Sequence, residues 1–147
     1  MKTYKQVTVS NTVWATPWDF FNRLNRVFRF TLDVCALKEN AKCESFYSPE
    51  EDGLAKDWLG GVWCNPPYGK DITAWVRKAS EEITKDYCDF IVMLLPARTD
   101  TLWFHSYVYG KARVEFVKGR IRFGNSNMSA PFPSMLAIYF KEVKYND

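Results

Sequence analysis

The spacing of apolar residues changes period several times along the chain, and each change predicts an element. In "TPWD", Thr16 stands as a helix N-cap, Pro17 at the first helical position and Asp19 three residues after the cap. Phe20, Leu24, Val27 and Phe28 follow at helical spacing, so a helix of about three turns is expected. "RFTLDVCA", 29–36, reads as a buried strand ending at Asp33, and "KCESFY", 42–47, as a second strand after a short connection. "SPEEDGLAKDW", 48–58, is acidic and turn-rich and predicts a surface loop containing Asp52. "GGVWCN" then forms a short apolar strand. "DITAWVRKASEEITKD" places Ile72, Trp75, Val76, Ala79 and Ile83 on one face of an amphipathic helix.

"DFIVMLLPA", 89–97, is apolar on both faces, as a central parallel strand should be. "RTDTLWFHSYVYGK" predicts a helix capped by Thr99 and ended by Gly110. In the tail, "RVEFV", "RIRF" and "SMLAIYFK" alternate as β structure, interrupted by the loop "GNSNMSAPFP", 124–133. Strands alternating with helices and closing on a β pair predict a three-layer α/β sandwich with a mostly parallel sheet. At 147 residues, a single domain without a separate target-recognition domain is expected.

Composition adds limits. Aromatic residues make up 17% of the chain and hydrophobic ones 47%, which predicts an ordered globule. The net charge of +3 argues weakly for a polyanionic partner. Its distribution is more informative: Lys111, Arg113, Lys118, Arg120 and Arg122 are opposed locally only by Glu115. Cys35, Cys43, Cys64 and Cys88 form no CxxC pair, and His105 is the single histidine, so no metal site is expected and the thiols are read as reduced and buried. The N-terminal residues lack a signal-peptide core and no run has the length of a membrane span, so a cytoplasmic protein is expected.

The stretch "WCNPPYGK", 63–70, carries the chemistry. Two prolines remove two amide donors and stiffen the chain, so Pro66 and Pro67 must start a rigid loop at the carboxyl end of the preceding strand. Ligands of open parallel sheets bind at that edge. The side-chain oxygen of Asn65 and the carbonyl of Pro66 can converge on one NH₂ group, and Tyr68 offers an aromatic face for the ring bearing it. Accepting both hydrogens of an adenine amine frees its lone pair for attack on a methyl group. The catalysis is positioning and local electrostatics, with no nucleophilic side chain needed.

In order along the chain, "WATPWDFFNRL", "LDVCA", "NAKC", "DGL", "DW", "VWCNPPYG", "LLPARTDTLWFH" and "APFPS" resemble the phage-type DNA N-6-adenine methyltransferases, a small Dam-like family. The likeness spans about residues 14–140. It implies a compact Rossmann-like methyltransferase fold, S-adenosylmethionine as cofactor, DNA as partner and a phage or prophage gene expressed in a bacterial host. By residue, it implies that Asn65, Pro66, Pro67 and Tyr68 form the catalytic loop for a flipped adenine. It places Thr16 and Pro17 against the methionine part of the cofactor, Asp33 near its amino acid moiety and Asp52 at its adenine amino group. "LDVCALKEN" departs from related enzymes in having no glycine after the first strand, and Glu44, Glu50 and Glu51 all compete for the ribose. An RNA adenine, a protein glutamine amide, or a degenerate nucleic-acid-binding module are the alternative readings.

Around this loop the remaining residues divide. Trp14, Trp18 and Trp75 are read as core. Trp103 and Phe104 are candidates to flank DNA or to pack internally, and Arg98 either contacts phosphate or base or pairs with Asp100. His105 is read as a packed or surface residue. Arg120 and Arg122 suit phosphate contacts beside a base-flipping loop, and 124–133 is the candidate for limited sequence readout. Short or relaxed specificity is expected.

Overall fold

Hydrogen-bonded pairing joins the apolar runs into one sheet. A computed structural model describes residues 14–124 and 129–142. Its strands are β1 (Leu32–Asp33), β2 (Ser45–Phe46), β3 (Gly60–Cys64), β4 (Cys88–Pro96), β5 (Arg113–Phe116) and β6 (Ser134–Phe140), ordered β2-β1-β3-β4-β6-β5. The first four run parallel, and β6 is antiparallel to both β4 and β5. β4 lies between β3 and β6 and is fully buried from Ile91 to Leu95, which explains its unbroken apolar run.

Helices cover both faces. α1 (Trp18–Phe28) sets Phe21 against Phe30 and Trp63, and Phe28 against Phe90. Gly61, Trp63 and Phe90 share that face by register, with Gly61 making room for the Phe90 ring. α2 (Ile72–Glu82) connects β3 to β4 and buries Ile72, Trp75, Val76 and Ala79, the stripe expected from spacing. It packs beside a π-helical turn, Phe104–Val108, whose Tyr107 carbonyl accepts a 2.7 Å hydrogen bond from Tyr139 in β6.

Several elements differ from the pattern-based expectation. The strands expected at 29–36 and 42–47 shrink to two residues each. Arg29 ends α1 in the left-handed region at φ 58°, donating to the Asn25 carbonyl at 2.9 Å, and the Asn25 side chain accepts from Phe30 N at 2.8 Å. That exit consumes the residues before β1. Val27 is 78% exposed, because Phe21 rather than Val27 completes the stripe with Leu24 and Phe28. The helix expected from Thr99 begins later: Thr101 Oγ1 accepts from Phe104 N at 3.3 Å, and Tyr109 N reaches back five residues to the Phe104 carbonyl at 2.7 Å. "RIRF" joins no ladder. It alternates because Ile121 and Phe123 are buried while Arg120 and Arg122 face solvent.

The segment 48–58 is more than surface loop. Pro49, Asp52, Gly53 and Trp58 are buried, and Gly53–Ala55 form a 3₁₀ turn. Trp58 donates from its backbone to Glu82 at 2.9 Å and from its indole to the Gly53 carbonyl at 2.8 Å. Residues 1–13, and 125–128 of the loop expected to be a candidate for sequence readout, lie outside the described residues. All four cysteines are free, with Cys64 and Cys88 buried and Cys35 and Cys43 half-buried. Among the described residues no helix is long and apolar enough to cross a membrane, and no side-chain cluster suits a metal ion.

Gly53 fastens this loop to the end of β1: a Cβ there would stand 2.1 Å from the Val34 carbonyl oxygen, a backbone atom that cannot step aside. We therefore expect Gly53→Ala to cost about 3 kcal/mol, read as a lowered urea midpoint with an unchanged slope. A midpoint equal to that of the unsubstituted chain would show that the loop does not seat on β1 in this way.

Candidate active site at the carboxyl edge of the sheet

Parallel β1 and β3 end side by side, Asp33 in register with Trp63, and Asn65 follows directly from β3. The two prolines after it are buried and fix the chain's exit from the sheet. The Asn65 side-chain nitrogen donates to the Trp14 carbonyl and to Thr16 Oγ1, the latter at 2.9 Å. With the NH₂ end thus held, the carboxamide oxygen is fixed by geometry as the opposite end. That Oδ1 is buried and has no hydrogen-bond partner, and among the described residues no hydrogen bond ends on the Pro66 carbonyl. An unmet buried acceptor costs roughly 1–3 kcal/mol, so its persistence in a rigid loop points to a ligand donor.

Thr16 thereby has a different task from the helix cap expected of it. α1 starts at Trp18 with Pro17 as its N-cap residue and no side-chain cap. Asp19 accepts only from the adjacent Phe20 N, at 2.9 Å. The hydroxyl that would have capped the helix is turned to Asn65 instead.

Asn65, Pro66, Pro67 and Thr16 line a cavity of ≈ 550 Å³, counting the part open to solvent, together with Trp14, Asp33, Asn40, Lys42 and Trp63. Pro17 is not in its wall but lines a neighbouring groove. Asp33 is 2% exposed and accepts from Lys42 N at 2.9 Å and Cys35 N at 3.3 Å. Burial raises its pKa from 3.8 to about 7, the two backbone donors and the Lys42 charge opposing. Lys42 Nζ lies 4.1 Å from the Trp18 ring centre and donates to the Asn40 carbonyl at 3.2 Å. One wall therefore offers a carboxyl hungry for a cation beside an ammonium.

Tyr68, the last residue of the loop, does not line the cavity but packs in an aromatic cluster beside it. Tyr68 is 3% exposed, donates from its hydroxyl to the Leu94 carbonyl at 3.0 Å, and meets Phe132 and Phe123 edge to face. Both of those rings also touch Trp14. The open stacking face expected of Tyr68 is thus covered in this conformation. The Arg98 guanidinium sits 5.9 Å from the Phe132 ring centre and makes no ion pair with Asp100.

Comparison with known proteins bears on this geometry. A family model described as DNA N-6-adenine-methyltransferase (Dam) matches residues 3–142. The chain belongs to the Dam family. It is similar to the DNA N-6-adenine-methyltransferase of Haemophilus phage HP1, 31% identical over 95% of this chain and 88% of that one. It also resembles the DNA N-6-adenine-methyltransferase of Escherichia phage T1, 42% identical over 63% of this chain but only 39% of the relative. The putative methyltransferase YfdM of Escherichia coli K12 matches at 38% identity over 37% of the chain and 69% of its own length.

Within this Dam-family chain the structure brings Thr16, Asp33, Asn65, Pro66 and Pro67 together and leaves other expected residues apart. Asp52 does not line the cavity; its side chain accepts from Leu54 N at 3.2 Å and caps the 3₁₀ turn from a left-handed backbone, φ 58°. Glu44, Glu50 and Glu51 are exposed and also outside it. Trp103 is 7% exposed and packs on Phe104, so it presents no surface to DNA. Arg120 and Arg122 are exposed, with Arg120 reaching the Ala130 carbonyl at 3.4 Å. Pattern reasoning misses the cavity roles of Trp14, Asn40 and Lys42. "NAKC" carries the last two, a polar block between short strands without a helical period.

Asp33 gives a pH-dependent prediction. Its raised pKa means that the unfolded chain loses this proton first, so the stabilisation is full below 3.8 and disappears as pH rises through about 7. Asp33→Asn should flatten the fall of stability between those values by about one proton's slope, measured by urea unfolding across the range. An unaltered slope would mean that Asp33 titrates as an ordinary carboxylate.

Proposed function

We propose that this chain is an S-adenosylmethionine-dependent methyltransferase that methylates the exocyclic N6 amine of adenine in DNA. The observation that carries the reading is the Asn65 carboxamide: donor end clamped, acceptor end buried and unmet. An adenine amine supplies the two donors that the Asn65 and Pro66 oxygens lack. Accepting both hydrogens opposes delocalisation of the nitrogen lone pair, an effect strongest in the transition state.

The cofactor reading is supported by the donor set. Asp33 and Lys42, of opposite charge, suit the ammonium and carboxylate of an amino acid moiety, and Thr16 and Trp63 stand in the same wall. S-adenosylmethionine, when bound, supplies a methyl group on a sulfonium leaving group. The chain's own residues orient the amine and exclude water. The target base has to leave its stack, at a cost of a few kcal/mol. Its capture by Tyr68 requires Phe123 and Phe132 to give way, because both now cover that ring. Arg98, without an ion pair among the described residues and beside Phe132, suits the flanking phosphate. Exposed cations beside the site suit phosphate, whose contacts carry no sequence information, and this supports short or relaxed specificity.

Labelled cofactor offered with unmethylated DNA, with RNA and with release factor tests the assignment. The expected product is N6-methyladenine in DNA; label confined to RNA or to glutamine would replace the acceptor, and no cofactor binding by calorimetry would leave only a binding module. Asn65→Ala should lower turnover roughly 10²–10³-fold with cofactor affinity nearly unchanged. Thr16→Val should lower it roughly tenfold through loss of one hydrogen bond to Asn65, and Thr16→Ser should restore it. Equal turnover in the Thr16→Val variant would remove the clamp from the mechanism.

A further inference from the structure

A second concavity lies on the α1 face of the sheet. One wall is α1, with Asp19 and Arg23; the other is the segment leaving β5, with Lys118, Arg120 and Arg122. Four cations thus face a single carboxylate. All four are exposed, and among the described residues none forms an ion pair. Three cations outside the groove are paired, Arg77 with Glu81, Lys78 with Glu82 and Arg113 with Glu115; what sets the groove apart is that its cations face one another across a concavity. Unpaired like charges set facing one another repel, so the groove is electrostatically incomplete until an anion enters it.

Its position matters as much as its charge. Pro17 in the first wall directly follows Thr16, which holds Asn65. Phe123, just beyond Arg122 in the second wall, packs on Trp14 and Tyr68, and Gly124 N donates to the Ala15 carbonyl at 2.8 Å. Both walls therefore run without a break into the residues around the candidate base site. β5 runs parallel to β4 by its pairing through β6, which puts the segment after it at the sheet edge where Asn65 lies.

We infer that the groove between Arg23 and Lys118–Arg122 holds the phosphate backbone of DNA beside the base presented to Asn65, with Arg23 and Lys118 as positioning residues. The inference rests on the proposed DNA methyltransferase activity. The groove reads no sequence; it sets the register of the duplex and supplies salt-dependent affinity. α1, which sequence patterning treats as a packing helix, gains a nucleic-acid face through Arg23.

The test compares Arg23→Gln/Lys118→Gln with a charge-matched control on α2 and beyond it, Arg77→Gln/Lys85→Gln. Binding of a short DNA duplex is followed by fluorescence anisotropy over a series of KCl concentrations. The groove variant should bind roughly tenfold to a hundredfold more weakly at low salt and reduce the salt slope by about two, since each removed cation leaves one phosphate with its counterion. It should raise the KM for DNA while leaving kcat, cofactor affinity and thermal midpoint unchanged. The control should move none of these. An unchanged slope in the groove variant, or an equal weakening in the control, overturns the inference. Failure of the activity itself would appear separately, as absence of methyl transfer to DNA by the unsubstituted protein.

Discussion

A primary amide that can rotate is a poor catalytic group, because its two ends look alike in size and opposite in chemistry. The structure removes that freedom from Asn65 by giving its nitrogen two acceptors, the Trp14 carbonyl and the Thr16 hydroxyl. Everything at the sheet edge follows from satisfying this one interaction. The segment before α1 must pass over the end of β3, the prolines must hold the loop against it, and Phe21 must seat α1 on Trp63. The acceptor end of the amide is then presented without a partner, a local cost that the surrounding core can absorb.

Asp33 makes the complementary compromise. The connection from β1 to β2 has no helix and no glycine-rich turn, so the carboxylate itself ties that connection down through Cys35 N and Lys42 N. The same group then faces the cavity. A cation entering the cavity would favour the charged form of this carboxyl, whose ionisation burial has made costly.

Much of this is legible in the chain. α2 declares itself through its helical stripe, β4 and β6 through apolar runs that are buried at successive positions, and the two prolines after Asn65 mark the loop with no structural knowledge. The failures have physical causes. Thr16 reads as a cap because a hydroxyl that accepts from a backbone amide and one that accepts from a distant carboxamide have the same sequence context. The alternation of "RIRF" is that of an amphipathic strand, yet a strand needs a neighbour, and only topology reveals that none is there. Asp52 is assigned to the cofactor by resemblance alone, but a left-handed backbone turns its side chain to its own 3₁₀ turn. Trp103 and Tyr68 show that aromatic residues near a site are drawn inward unless a polar partner holds them out.

The contribution of Trp14 is made by its main chain as well as its ring. Replacement of that residue by another alters an aromatic neighbour but leaves a peptide oxygen in the same place. A one-residue insertion or deletion between Trp14 and Pro17 instead moves the oxygen by a full residue step, several ångströms, and withdraws it from Asn65. Position 14 should therefore tolerate exchange of its side chain during divergence, while the stretch from it to Pro17 resists any change in length and keeps the Thr16 hydroxyl.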